Sequence, residues 1–289
     1  MNYVITTDIT TDLPESYFNE KNIEILSTIY TVDDKSYSGF ELDSRDFFES
    51  MRNGSTVSTA QYNPEDARAL FKRIIDEKDC DIIHLAFSSG LSGSCTSAKI
   101  AADELMEEYP GRKVYVVDTL AASLGEGLFI WYAVKQAEQG MSIDELRDWA
   151  ETTKLNIGHV FTVDDLKYLH KGGRVSKASA IIGGILNIKP CLHVDNEGHL
   201  ILIGKVRGRK ASLDELVNLM RERIGNYRSK NNEMIMISHG DCEDDANYLA
   251  SVVKKEFGYN NVLINYLGPT IGSHSGPGTV ALFFLCDNR

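Results

Sequence analysis

The sequence predicts an α/β protein of two lobes, and three observations carry that expectation. Short apolar runs alternate with amphipathic segments of helical length, which implies right-handed βαβ crossovers and a parallel sheet in the first lobe. One early stretch, Ile23–Asp43, breaks the alternation with Ile23, Ile25, Ser27 and Ile29 at period two and reads as a small β excursion. The helix and strand pattern then resumes past a boundary placed near Thr153–Gly158, so the first lobe spans 1–155 and the second, with a mixed sheet, spans 156–289. A ligand is expected between them.

The elements follow in order. Tyr3-Val4-Ile5 is a short strand that runs into the polar stretch Thr6–Asp12 and then Leu13-Pro14. Pro64–Asp76 places Ala67, Leu70, Phe71 and Ile74 on one helical face. Cys80–Phe87 is a buried strand, Ser88–Ser94 a turn of Ser and Gly, and Ser97–Tyr109 a helix ended by Pro110-Gly111. Lys113–Val117 is the next strand, and Gly125–Gln139 is a further helix closed by Gly140. Helix Asp144–Thr153, strand Gly158–Thr162 and a Gly-rich stretch come next, then helix Leu213–Ile224, strand Met234–Ser238 and helix Glu243–Phe257. Strand Val262–Leu267, a loop at Gly268–Gly278 and strand Thr279–Leu285 complete the chain. Ligands of parallel sheets lie beyond the carboxyl ends of the strands, where Asp8, Ser88–Ser94 and Asp118 fall.

Composition removes several classes. A chain of 289 residues, 43% hydrophobic with 6 prolines, builds a large core and is not disordered. A net charge of −12 argues against a nucleic-acid partner, since counterion release needs a basic face. No apolar run approaches the ~18 residues of a membrane span. The start lacks a signal-peptide pattern, and five cysteines without a C-x-x-C pair fit a reducing compartment, so the expected location is cytoplasmic. Charge is uneven: Lys154 to Lys210 carries +6 and the remainder −18. That basic segment is either a solvated loop or a docking surface for an acidic or phosphate-bearing partner.

The strongest local signal is Phe87-Ser88-Ser89-Gly90-Leu91-Ser92-Gly93-Ser94, between a strand and a helix. Free N–H groups at the helix start favour an anion there, and Ser92 and Ser94 add hydroxyl donors; plain serine N-capping is the simpler role. Gly90-Leu91-Ser92-Gly93-Ser94 also resembles a nucleophile elbow, which leaves a serine acyl hydrolase using Ser92 and a downstream His (His239 or His274) as the alternative. A regulatory module for a phosphorylated small molecule is a third class. His274 sits among glycines and can donate a hydrogen bond to a carboxylate. Gly276-Pro277-Gly278-Thr279-Val280-Ala281 matches G-x-G-x-x-A without room for a βαβ unit, so no dinucleotide cofactor is expected. No P-loop, H-E-x-x-H or paired-Cys metal pattern occurs, so neither cofactor nor metal is expected. The apolar stretch Ala178–Ile188, with Ile181, Ile185 and Gly183-Gly184, reads as core or as the wall of a lipid-sized pocket.

Taken in order, Thr7-Asp8 with Thr11-Asp12-Leu13-Pro14, Thr59-Ala60-Gln61, Ser88–Gly93, Leu169-His170-Lys171-Gly172-Gly173-Arg174, Ile188-Lys189-Pro190 and His274–Gly278 resemble the DegV family of bacterial lipid-binding proteins. Ile9 stands where the family usually has Ser, and Ala60 follows Thr59 where it usually has Ser. The resemblance implies a long-chain fatty acid such as palmitate, held between two lobes as the chain's ligand. Thr59, Ser92 and Gly93 would bind its carboxylate with His274 nearby, and Ile181 and Ile185 would line the acyl pocket. It further implies a non-catalytic carrier, similar to the carrier subunit of fatty acid kinase. Such a carrier presents the acid to a separate ATP-dependent kinase, with Arg174 and Arg207 as docking residues, and is compatible with transient membrane contact.

Overall fold

The structure is a computed structural model and describes residues 2–176, 187–228 and 232–289. The first part of the chain contains β1 (Tyr3–Asp8), α1 (Glu15–Lys21), β2 (Glu24–Leu26), β3 (Ile29–Val32), β4 (Lys35–Ser38), α2 (Ser44–Arg52) and β5 (Val57–Ala60). It continues with α3 (Pro64–Lys78), β6 (Asp81–Ala86), α4 (Ser94–Glu108), β7 (Val114–Asp118), α5 (Leu124–Glu138) and α6 (Ile143–Thr153). The helix starts are written locally: Asn63 and Asp66 form a capping box ahead of Pro64, and Ser142 and Glu145 do the same for α6. Strands β2, β1, β6 and β7 lie in that order, all parallel. The chain crosses to opposite sides of β1 on reaching β2 and β6, so the carboxyl ends of β1 and β6 border a crevice.

The second part contains β8 (Ile157–Thr162), α7 (Lys167–Lys171), β9 (Ile188–Val194), β10 (Leu200–Arg207), α8 (Arg209–Arg223), β11 (Ile235–His239), α9 (Glu243–Phe257), β12 (Val262–Tyr266), α10 (Pro269–Ser275) and β13 (Val280–Leu285). Its sheet runs β10-β9-β8-β13-β11-β12, antiparallel except for the β11–β12 pair, and is therefore mixed as expected.

Helix α5 joins the two sheets. It is apolar nearly all round, and such a helix belongs in an interior. It packs on β8, β11 and β13 of one sheet and on the turn that follows β1 of the other. Two glycines make this fit: a Cβ on Gly125 would stand 2.1 Å from His159 Nε2, and one on Gly127 would stand 2.8 Å from the Thr11 carbonyl oxygen. The core under α5 is consequently continuous from Ile5 and Leu85 to Phe161 and Phe283.

The structure corrects the sequence expectations in places. The Ile23–Asp43 excursion is split: β2 joins the parallel sheet, while β3 and β4 pair with β5 in a separate antiparallel sheet. The presumed loop Gly268–Gly278 contains α10, whose Gly272 lets the helix lie against Phe47 and Phe48 of α2. Glycine lowers helix propensity, and tertiary packing overrides it here. The hairpin of β9 and β10, with α1 and α2, had no counterpart in the sequence expectations. Ile181 and Ile185 lie outside the described residues. Among the described residues, no helix is long and apolar enough to cross a membrane.

Candidate functional site

A cavity of about 320 Å³ lies between the two sheets and collects residues from both. Thr59, Ala60 and Gln61 reach it from the end of β5, Leu91 and Ser92 from the turn before α4, Arg174 from beyond α7, and His274 from α10. Thr59, Ser92 and His274, chosen from sequence, therefore share one enclosure. Phe87, Phe161, Leu169, Val194, Leu200 and Phe283 supply apolar walls.

The local bonding prepares the hydroxyls for an anion. Thr59 Oγ1 and His274 Nε2 are 2.7 Å apart. Burial, helped by the Arg174 charge, pushes the His274 imidazole down to about 4, so it is neutral at pH 7. With the proton on Nε2, His274 donates to Thr59 and frees the threonine O–H to donate into the cavity. Ser92 Oγ accepts from the Ser94 N–H at 3.2 Å and lies 2.6 Å from Ser94 Oγ. When Ser94 donates to it, the Ser92 proton also faces the cavity. Both hydroxyls are thus arranged as donors by groups behind them.

The other expected residues sit differently. Gly93 is set back, and its N–H donates to Gln61 Oε1 at 2.9 Å, so that amide is already committed. Arg174, expected as a docking residue, lines the cavity. Its Nε donates to the Leu91 carbonyl at 3.1 Å and its Nη1 to the Gly172 carbonyl, and burial lowers its pKa. Arg207 lies on β10 and is exposed. Ala60 lines the cavity, whereas Ile9 faces a separate surface groove beside Leu13 and Phe40.

Among the described residues, Ser92 is not hydrogen-bonded to a histidine. Its hydroxyl pairs with Ser94 while His274 pairs with Thr59, and His239 Nδ1 accepts from the Cys242 N–H elsewhere. A hydrolytic Ser–His pair needs hydrogen-bond reach, and each of these histidines is bonded to a group other than Ser92.

A second polar layer was only partly read from sequence, which placed Asp8 at the site but not Thr10, Ser123 or Glu126. Thr10 and Ser123 line the cavity and donate to Glu126 Oε2 at 2.9 Å and Asp12 Oδ2 at 2.6 Å. Asp8, next to them, accepts from the Phe87 N–H at 2.7 Å. Burial raises all three acids, Asp12 to about 8, and the Asp8 charge pushes Glu126 further up. Acids shifted toward the protonated form weaken the repulsion that an anionic ligand would meet at this wall. The sequence did carry a signal for Glu126: it is an acid between Gly125 and Gly127, immediately ahead of the uncharged run Leu128–Val134.

Comparison with known proteins places this geometry in a family. The uncharacterised protein family DegV matches residues 2–287. The chain belongs to the DegV family. A DegV domain-containing protein of Clostridium perfringens is 40% identical over 290 residues, covering 99% of this chain and 98% of its own. Among solved structures, a DegV family protein from Thermus thermophilus, described for its fatty acid binding, is 30% identical with a TM-score of 0.86, covering 99% of this chain and 100% of that one. DegV from Bacillus subtilis, described as a fatty acid binding protein, is 26% identical with a TM-score of 0.85, covering 99% and 100%. The DegV fold of those structures is the fold found here.

Proposed function

We propose that this chain binds one long-chain fatty acid between its sheets, carboxylate toward Thr59 and Ser92, and presents it to a separate ATP-dependent kinase that forms the acyl-phosphate. The observation that carries the binding reading is the convergence of Thr59, Ser92, His274 and Arg174 on one cavity with apolar walls. The solved DegV relatives described as fatty-acid binders support it. A tail of roughly 14 methylenes gains about 11 kcal/mol gross at ~0.8 per CH₂. Association costs of ~4–15 kcal/mol offset much of this, so the tail sets affinity and the hydroxyls set direction.

Titration of delipidated protein with fatty acids of graded length tests the binding. One-to-one saturation that tightens with chain length is expected; turnover of acyl esters without retention of the acid would favour the hydrolase instead.

Gly172 offers a sharper test. A Cβ there would stand 2.2 Å from His274 Nδ1. Gly172→Ala should displace the ring, break its bond to Thr59 and weaken fatty-acid binding by roughly tenfold, the worth of one hydrogen bond. Unchanged affinity in a folded variant would remove His274 from the head-group site.

The kinase step rests on the exposed Arg207 and its basic neighbours. Arg207→Glu should slow acyl-phosphate formation by a cognate kinase, less so at high salt, while leaving fatty-acid affinity intact. Normal turnover at low salt would end the docking role.

A further inference from the structure

The rim of the cavity carries a pair of N–H groups that the proposed head-group site does not use. Gln61, one residue past the end of β5, lines the cavity and is exposed, whereas Thr59 and Ser92 are half-buried. The Gly93 N–H donates to its Oε1 at 2.9 Å. A backbone N–H can only donate, so this bond decides which arm of the amide is oxygen and which is nitrogen. Among the described residues, Gln61 Nε2 donates to no group.

Gly93 is what admits that amide. A Cβ there would stand 2.7 Å from Gln61 Oε1 and 2.9 Å from Nε2, closer than real Cβ atoms come. The φ of −78° at Gly93 suits any residue, so the glycine serves space and not backbone conformation. Both ends of the contact belong to the head-group site. Thr59 and Gln61 are two residues apart and both line the cavity, as the period of a strand allows. Gly93 follows Ser92 directly and caps α4, so the amide also stands at the positive end of that helix. It therefore spans from the end of β5 to the turn before α4, on the solvent side of the two hydroxyls.

We infer that Gln61 is a specificity residue for the head group, its Nε2 donating to the outward-facing oxygen of a carboxylate that Thr59 and Ser92 hold from within. This rests on the fatty-acid reading of the site and deepens it, by naming the residue that separates acids from neutral lipids of the same length. A carboxylate offers two oxygens with about four acceptor positions, more than two hydroxyls fill. An alcohol at the same depth offers a single oxygen, which the inner hydroxyls occupy, and leaves Nε2 without an acceptor.

The test titrates delipidated protein with hexadecanoic acid and with hexadecan-1-ol, which share a tail and differ in the head. Gln61→Glu keeps an oxygen for the Gly93 N–H and replaces the free NH₂ by a negatively charged oxygen. At about pH 8 it should weaken binding of the acid by about tenfold or more, through like-charge repulsion, and leave the alcohol within about twofold. Gln61→Leu, with neither donor nor charge, should weaken the acid by roughly three- to tenfold, the worth of one hydrogen bond, and again spare the alcohol. In the wild type, the side-chain amide NMR signals of Gln61 should move on addition of the acid and not of the alcohol, which decides the matter if a variant fails to fold. Wild-type affinity for the acid in folded Gln61→Glu, equal losses for acid and alcohol, or amide signals that ignore the acid overturns the inference and leaves the fatty-acid reading standing. Failure of the wild type to bind the acid overturns both.

Discussion

Replacing Thr59 and Ser92 together by alanine should reduce fatty-acid affinity by roughly 30-fold or more. In the proposed complex each hydroxyl would donate a charge-assisted bond from a partly buried position, worth ~1–3 kcal/mol when lost. The two belong to separate elements, β5 and the turn before α4, so their losses should add more nearly than those of one network. Single variants should each fall in between, and the carboxylate should shift or turn in crystals of either. Titration of delipidated variants checks the affinities. Unchanged binding in the double variant would move the carboxylate elsewhere in the cavity. If Ser92→Ala abolished hydrolysis of acyl esters, Ser92 would be a nucleophile after all.

The second large effect is on stability. Asp12 is buried, accepts from Ser123 Oγ at 2.6 Å and from the Gly268 N–H at 2.9 Å, and is raised to about 8 by desolvation. In the unfolded chain it titrates near ~3.9. Between those values the folded protein holds a proton that the unfolded chain has released, so stability falls as pH rises, by up to about 1.4 kcal/mol per pH unit. The contribution is fully present below the unfolded value and lost as pH climbs through about 8. Asp12→Asn imitates the protonated acid, keeps the Gly268 contact, and suits the backbone, whose φ of 53° Asn tolerates well. The variant should match the wild type near pH 4 and exceed it by several kcal/mol near pH 8, read from denaturant midpoints across the range. A difference that does not vary with pH would mean Asp12 is ionised when folded.

Much of this was legible in the sequence because it is local. The βαβ alternation depends on apolar period and turn residues, and α9 has the bounds that its pattern predicts, Glu243–Phe257. Asp8, Ser88–Ser94 and Asp118 meet at strand ends because parallel sheets put them there, and Asp118 Oδ1 accepts from the Ser89 N–H at 3.2 Å. What escaped is set by long-range contacts. Helix α10 reads as a loop until Phe47 and Phe48 of α2 pack against its glycine. Arg174 looks like a surface cation until the Leu91 carbonyl, distant in sequence, draws it into the cavity wall. Glu126 and Asp12 look solvent-exposed by type, and only the stacking of α5 between two sheets buries them.

The most direct measurement is organic extraction and mass spectrometry of protein purified under native conditions without added lipid. A cavity walled by Phe161, Leu169 and Phe283 should retain what it acquires in the cell, so about one long-chain fatty acid of roughly C14–C18 per chain is expected. Protein that emerges free of lipid, and that takes up no fluorescent fatty acid on titration, would contradict the binding function.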